Sequence, residues 1–327
     1  MGKTNSIIRR SIFCFLQKYQ YFTSASALYA FPFSVSLLLS QTFVFTSSIS
    51  LLDNIYYHLK IVFDAAVFPS SLEFFIQKLS QTIFSSIFTI PFTLTFLLVA
   101  KASVIQALKE TKSTSQPSFS SIKSLYCPLF LTNICNSIFI LSANATVFSI
   151  LFFAFTCLQE FGFSSSTNFL YLSAAGAVLY SIVLANTLVI SNLSLVLSGM
   201  EKLGGYLAIL KACVVIRGKT STALLLALPT NLAMAAIEAL FQYRVVRAYN
   251  GVGILSLSML FEGVIIAYLY SIFIVLDTTV CCMFFMNCKK VFWVDLEGRQ
   301  ALQIESAEEH NGDYMNSKVE QNLHSTS

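Results

Sequence analysis

Three acids sit in or beside the last two apolar stretches of the chain: Glu238, Glu262 and Asp277. An ionisable group in hydrocarbon is costly, so such residues face a bundle interior or a wet cavity and mark ion or substrate paths. Asp277, with Thr278 and Thr279 beside it, is expected near mid-membrane or inner-leaflet depth. A single carboxylate there can bind a cation or a proton, or stay neutral and hydrogen-bonded. Glu238 and Glu262 are expected near the outer ends of their helices, within reach of Arg244 and Arg247 in the link between them. At those two positions structural ion pairing competes with an ion path. Glu262 and Asp277 are separated by about 22 Å along a helix, at ~1.5 Å per residue, which is too far for one acid–base pair.

Other chemistry finds little support in the residues. The three His (His58, His310, His324) are scattered and none falls in an apolar segment. The eight Cys lie mostly within or beside apolar segments and form no Cys-x-x-Cys, so neither a disulfide framework nor a zinc site, with its four converging ligands, is expected. Gly218-Lys219-Thr220 resembles the end of a phosphate-binding loop, but Cys213 stands where that loop needs its first Gly, and no strand precedes it. The reading is therefore a non-enzymatic chain with no catalytic set, no cofactor and no metal. Two lipidation sites are candidates. Cys288 lies beside Lys289 and Lys290, and Met1-Gly2-Lys3-Thr4-Asn5-Ser6 fits the myristoylation pattern.

The elements that must hold these residues follow from composition. The chain has 327 residues, 56% hydrophobic and 11% charged, where soluble domains carry about 25% charged residues. Such a chain cannot cover a water-facing surface. The fold class expected is all-α: a polytopic membrane bundle of about six transmembrane helices plus interfacial helices, both termini cytosolic. A span needs about 20 apolar residues to cross a core ~30 Å thick. The apolar segments run over 24–52, 79–100 (with Pro91, hence a kink), 127–158, 168–198, 221–241 and within 253–288. Residues 1–23 are read as a cytosolic interfacial segment, in which Ile8, Ile12, Phe15 and Tyr19 share a face. No cleavable leader is expected there, since Arg9 and Arg10 lead into a mixed segment rather than a clean apolar core. The transmembrane domain is 24–288, with cytosolic links at 101–126 and 199–220. Residues 289–327 are acidic and poor in aromatics, and are expected to be a disordered cytosolic tail anchored by Phe292 and Trp293.

Charge sets the orientation. With six spans, all but four of the 20 Lys and Arg fall on the side of the termini; the exceptions are Lys60, Lys78, Arg244 and Arg247. Positive links stay cytosolic, so that side is expected to be the cytosol. No basic cluster with interleaved aromatics stands clear of the apolar runs, which argues against nucleic-acid binding.

The most patterned stretch is Ser191–Thr220. Read as a helix over 201–219, it puts Leu203, Leu207, Leu210 and Val214 on one face. Gly204, Ala208 and Ala212 recur on the opposite face, a spacing that lets another helix approach closely in lipid. A helix on or just inside the inner membrane surface is expected, its small face against the bundle. The pattern Glu201-x3-Gly205-x2-Ala208-x2-Lys211-x5-Arg217-Gly218-Lys219 resembles the central motif of a plant family of uncharacterised six-span membrane proteins. It is more distantly similar to the membrane domain associated with bacterial glycerophosphodiester phosphodiesterases. The resemblance covers about half the chain, and this chain has Ser191-Asn192-Leu193 where relatives carry an aromatic residue. It implies a six-span membrane protein and no particular activity.

Three functions follow in order. The first is a non-enzymatic integral membrane protein that organises or traffics within endomembranes or the plasma membrane. Its partners would be the lipid bilayer and other membrane proteins met through the cytosolic links or tail. The second is a transporter or channel for a small solute or ion, using Asp277 and Glu262. The last is a membrane-embedded lipid enzyme.

Overall fold

The computed structural model describes residues 2–46, 50–65, 73–109, 119–160, 166–252 and 256–289. These are helical almost throughout, with no strand among the described residues. The chain divides into two units, 1–283 and 284–327. The described part of the second is the end of the last helix, 284–289; the expected tail and its Trp293 anchor lie outside the described residues.

Twelve helices can be named in chain order among the described residues: α1 (Gly2–Gln17), α2 (Tyr19–Ala25), α3 (Phe31–Thr46), α4 (Ser50–Ala65), α5 (Glu73–Phe92), α6 (Leu98–Lys109), α7 (Phe119–Glu160), α8 (Ser166–Glu201), α9 (Tyr206–Ile216), α10 (Thr220–Phe241), α11 (Arg247–Val252) and α12 (Leu257–Lys289). One wide, π-type turn joins each of the pairs α2–α3, α5–α6 and α10–α11. Six of the resulting helices are long and apolar enough to cross a membrane: Tyr19–Ser40, Leu79–Lys109, Ile122–Ala154, Ala174–Glu201, Thr220–Tyr249 and Leu257–Lys289. The architecture is an all-α, six-helix membrane-protein fold.

Proline explains one of the wide turns. Pro91 has no N–H to donate, and the backbone loosens just beyond it at Thr93–Leu97. The loosened turn is satisfied from outside: Tyr126 donates its hydroxyl to the carbonyl of Leu94 at 2.8 Å, while Thr93 and Thr95 donate to the carbonyls of Thr89 and Pro91 at 2.9 and 2.7 Å. Such turns are found frequently at functional sites.

Within the first unit, packing is densest at the end that carries Lys101 and α9. Residues 102–108 of α6 are all buried, as are 193–199 of α8. In the other halves of α7 and α8, which pack on each other, large side chains such as Leu141, Phe153, Val178 and Ile182 are exposed. A separate core joins α3, α10 and α12 through Leu38, Ile237, Phe241, Ile266, Tyr270 and Ile274.

Several expected boundaries move. The first span starts at Tyr19 and not at Ser24, and residues 50–52 belong to α4. The link drawn over 101–126 is largely helix, because α6 runs to Lys109 and α7 begins at Phe119. Ala102, Val104, Ile105, Ala107 and Leu108 are buried, so apolar packing carries the helix past Lys101. Lys18, between α1 and α2, donates its ammonium to the carbonyl of Ala107 at 2.6 Å, a cation at a helix C-terminus where the dipole favours it.

Of the N-terminal face expected to lie in the interface, Phe15 turns inward while Ile12 and Tyr19 stay exposed. Ile7, Ser11 and Phe15 face inward, and Phe15 stacks on Phe22 at 5.5 Å. Ile12, Phe13, Leu16 and Tyr19 are exposed. The helix thus has one face for protein and a second apolar face left outside, with Arg9 and Arg10 exposed as well.

Candidate functional site

Asp277 is drawn into the bundle from α12 and is only 7% exposed. Its Oδ1 accepts the hydroxyl of Thr230, from α10, at 2.9 Å. The ammonium of Lys101, from α6, acts electrostatically on the same carboxyl and lies 3.4 Å from Oδ1 of Asn192 on α8. Four helices, distant in sequence, therefore each supply one polar group. Thr230 hydrogen-bonds the buried carboxyl directly, while the Lys101 ammonium acts on it at longer range, with no ion pair between the two among the described residues. The arrangement gathers a carboxyl, a hydroxyl, an amide and an ammonium from four helices, groups that together can meet a polar solute or an ion. Thr278 and Thr279, which the sequence set beside Asp277, turn to their own helix instead, donating to the carbonyls of Ile274 and Val275 at 2.9 and 2.8 Å.

A second polar layer adjoins through the sequence-consecutive Ser191 and Asn192. Asn136 on α7 donates to the carbonyl of Ser191 at 2.9 Å and accepts the hydroxyl of Ser194 at 2.8 Å. The hydroxyl of Ser191 itself is buried with no hydrogen-bond partner among the described residues. A buried orphan of this kind marks a place where water or a ligand's polar atom fits.

Glu238 and Glu262 are half-buried on α10 and α12 and are not brought to Asp277. The partner of Glu238 is not an arginine. Tyr270 of α12 donates its hydroxyl to Oε1 at 2.9 Å, because Glu238 lies within α10 while Arg244 sits in the wide turn after it. Arg247 stands over the ring of Tyr243, 5.7 Å from its centre, a cation–π contact.

The small-residue face is divided. Helix α8 ends at Glu201, Lys202 takes φ 57° and Gly205 φ 72°, and α9 begins only at Tyr206. Gly204 thus belongs to the break rather than to a helix over 201–219. It lies against α7, since a Cβ there would come within 3.2 Å of Pro128 Cα. Ala208 and Ala212 are both fully buried. The opposite side of α9 exposes Tyr206, Leu207, Leu210 and Val214. Glu201 receives a hydrogen bond from the Lys211 ammonium, which ties the end of α8 to α9. Burial pushes the thiols of Cys14, on α1, and Cys213, on α9, above the ordinary range. Cys288 is 4% exposed. Among the described residues no group of three or more His, Cys, Asp or Glu is placed to hold a metal ion.

Sequence reasoning missed Lys101, Asn192 and Thr230. Hydropathy places Lys101 in a link, because a charge ends the apolar run. The available signal was the apolar run that resumes after it, Ala102-Ser103-Val104-Ile105-Gln106-Ala107-Leu108. No curated protein and no solved structure matches the chain. Residues 3–323 match the family described as a domain of unknown function, DUF8558, and the chain belongs to that family.

Proposed function

We propose that the protein is a non-enzymatic carrier of a small solute or ion, working through the polar cluster of Lys101, Asn192, Thr230 and Asp277. One observation carries this reading: a carboxyl 7% exposed, answered by groups from other spans. Keeping such a cluster inside apolar helices is costly, and ionisable residues so placed mark transport paths. The test is electrical recording on purified protein in supported membranes, challenged with a panel of inorganic ions, amino acids and carboxylates. Asp277→Asn should reduce the resulting currents at least tenfold. Currents unchanged by that substitution would remove the reading.

A second reading, an organising or trafficking role in endomembranes or the plasma membrane, is favoured by the exposed faces of α1 and α9. Each sets large apolar side chains beside cations, Phe13 and Leu16 near Arg9 and Arg10, and Leu207, Leu210 and Val214 near Lys211 and Arg217. That composition suits a leaflet with anionic headgroups, which is the cytosolic one. Protease added to sealed, cytosol-out vesicles should therefore clip a tag placed after Ser327. Serine at Leu207, Leu210 and Val214 should shift the tagged chain to a different membrane; an unchanged location counts against this role.

A further inference from the structure

Two helices far apart in the chain sit at the same end of the bundle. Lys18, just past α1, donates to the carbonyl of Ala107 near the end of α6 at 2.6 Å. Gly199, near the end of α8, lies against Ile105 of α6, where a Cβ would come within 2.9 Å of its side chain. The ends of α6 and α8 therefore adjoin, and α9 follows directly from α8. Helix α1 also packs on α10, the helix that α9 leads into. This is the end expected to face the cytosol.

Each of the two helices is seated by one face and bare on the opposite one. In α1, Ile7, Ser11 and Phe15 are buried, while Arg9, Phe13 and Leu16, at i, i+4 and i+7, make an exposed row. In α9, Ala208 and Ala212 are fully buried. Leu207, Leu210 and Val214 make its exposed row, and Arg217 follows three residues on. The seated face of α9 rests on α7 and α8, so the bare row points away from the bundle, toward the leaflet around it.

The charge on both helices is of one sign. No Asp or Glu occurs in residues 1–52 or in 202–237. Arg9, Arg10, Lys202 and Arg217 are exposed, and no ion pair engages them among the described residues. Glu201, the acid just before α9, is taken by Lys211. A zwitterionic headgroup brings its own ammonium and offers such cations no net attraction. An anionic surface gains about fivefold in association for each Lys or Arg beside it, while apolar rows insert among the acyl chains. A second copy of this chain would bring the same cations and be repelled.

We propose that the bare faces of α1 and α9 form one docking surface for anionic phospholipid, with Arg9, Arg10, Lys202 and Arg217 at the headgroups. The surface gathers these lipids around one end of the bundle. It supplies the chemistry of the second reading above and rests on that reading for its biological use, though not for its detection.

Spin-labelled phosphatidylserine and phosphatidylcholine, added to the full chain reconstituted in phosphatidylcholine vesicles, test it. Lipid that touches protein is immobilised, and the ratio of the two lipids so held measures selectivity. Phosphatidylserine should be held at least about twofold over phosphatidylcholine, because the gain at these cations is averaged over every lipid that touches the bundle. High salt should shrink the preference. Arg9→Gln with Arg10→Gln, and separately Lys202→Gln with Arg217→Gln, should each lower it, and the four changes together should remove most of it. These side chains are exposed, so the variants keep the fold; Lys211 is left in place because it holds Glu201. Equal immobilisation of the two lipids by wild type, or a preference that the fourfold variant leaves intact, would overturn the proposal. Immobilisation that falls as copies per vesicle rise would give the faces to a second copy and overturn it as well. A preference lost in the fourfold variant while the tagged chain stays in its membrane would sink the organising role and leave the lipid surface standing.

Discussion

Lys101→Met is expected to destabilise the folded chain by about 1–3 kcal/mol, because the Asn192 amide loses its donor and the buried Asp277 carboxyl loses a positive charge that acts on it without a direct ion pair. The lysine is the cation whose field reaches Asp277, and Thr230 alone, with one hydroxyl, cannot replace a full positive charge. Two further outcomes separate this cause from lost packing of the lysine stem. Lowering the pH should restore part of the stability, because a neutral carboxyl needs no counter-charge. Adding Asp277→Asn to Lys101→Met should restore most of it, because the uncompensated charge is then gone. In a double-mutant cycle the two changes should couple by 1 kcal/mol or more, as residues in one network do. Reversible unfolding in mixed micelles measures all three variants. Equal and additive losses would show that the pair is not a pair.

That result bears on how the site could be read from sequence. Asp277 was visible at once, since a carboxyl in an apolar run stands out. Its partners were not, because hydropathy treats a charge as an end: Lys101 closed the second segment on paper, while the helix runs on for eight more residues under the packing of Val104, Ile105 and Leu108. A long stem lets lysine keep its backbone deep and its ammonium where a partner waits. The six helices were legible for the opposite reason. Lipid leaves the backbone no choice but to satisfy itself within each helix, so length and apolarity suffice. Glu238 failed differently. Charge alone suggested the arginines, but the register of α10 on α12 presents Tyr270, and register is set by packing that no single helix encodes.

The small-residue motif was half legible, and Gly205 shows where the other half lay. Ala208 and Ala212 were read from their spacing and are buried, but helical spacing could not reveal that the chain breaks before Tyr206. Gly205 sits at φ 72° and ψ −141°, as the residue that precedes the first turn of α9. That conformation is nearly closed to residues with a Cβ and costs of order 1–3 kcal/mol. A Cβ would also meet the Leu131 side chain at 3.2 Å. The backbone N–H of Gly205 donates to Thr132 on α7 at 2.9 Å, and Thr132 lies 3.0 Å from the hydroxyl of Ser198 on α8. Three helices thus meet at one glycine. Gly205→Ala should therefore cost about 1–3 kcal/mol from backbone strain alone and should also loosen α9. Thr132→Val, which removes the hydroxyl and leaves the glycine's freedom intact, should cost about 1–3 kcal/mol through the stranded N–H. Hydrogen exchange over 206–216 reads the docking of α9 directly: both variants should speed it, Gly205→Ala the more. If Gly205→Ala left stability and exchange unchanged, α9 would not be fixed through this turn. The tie between Glu201 and Lys211 would then be what seats it.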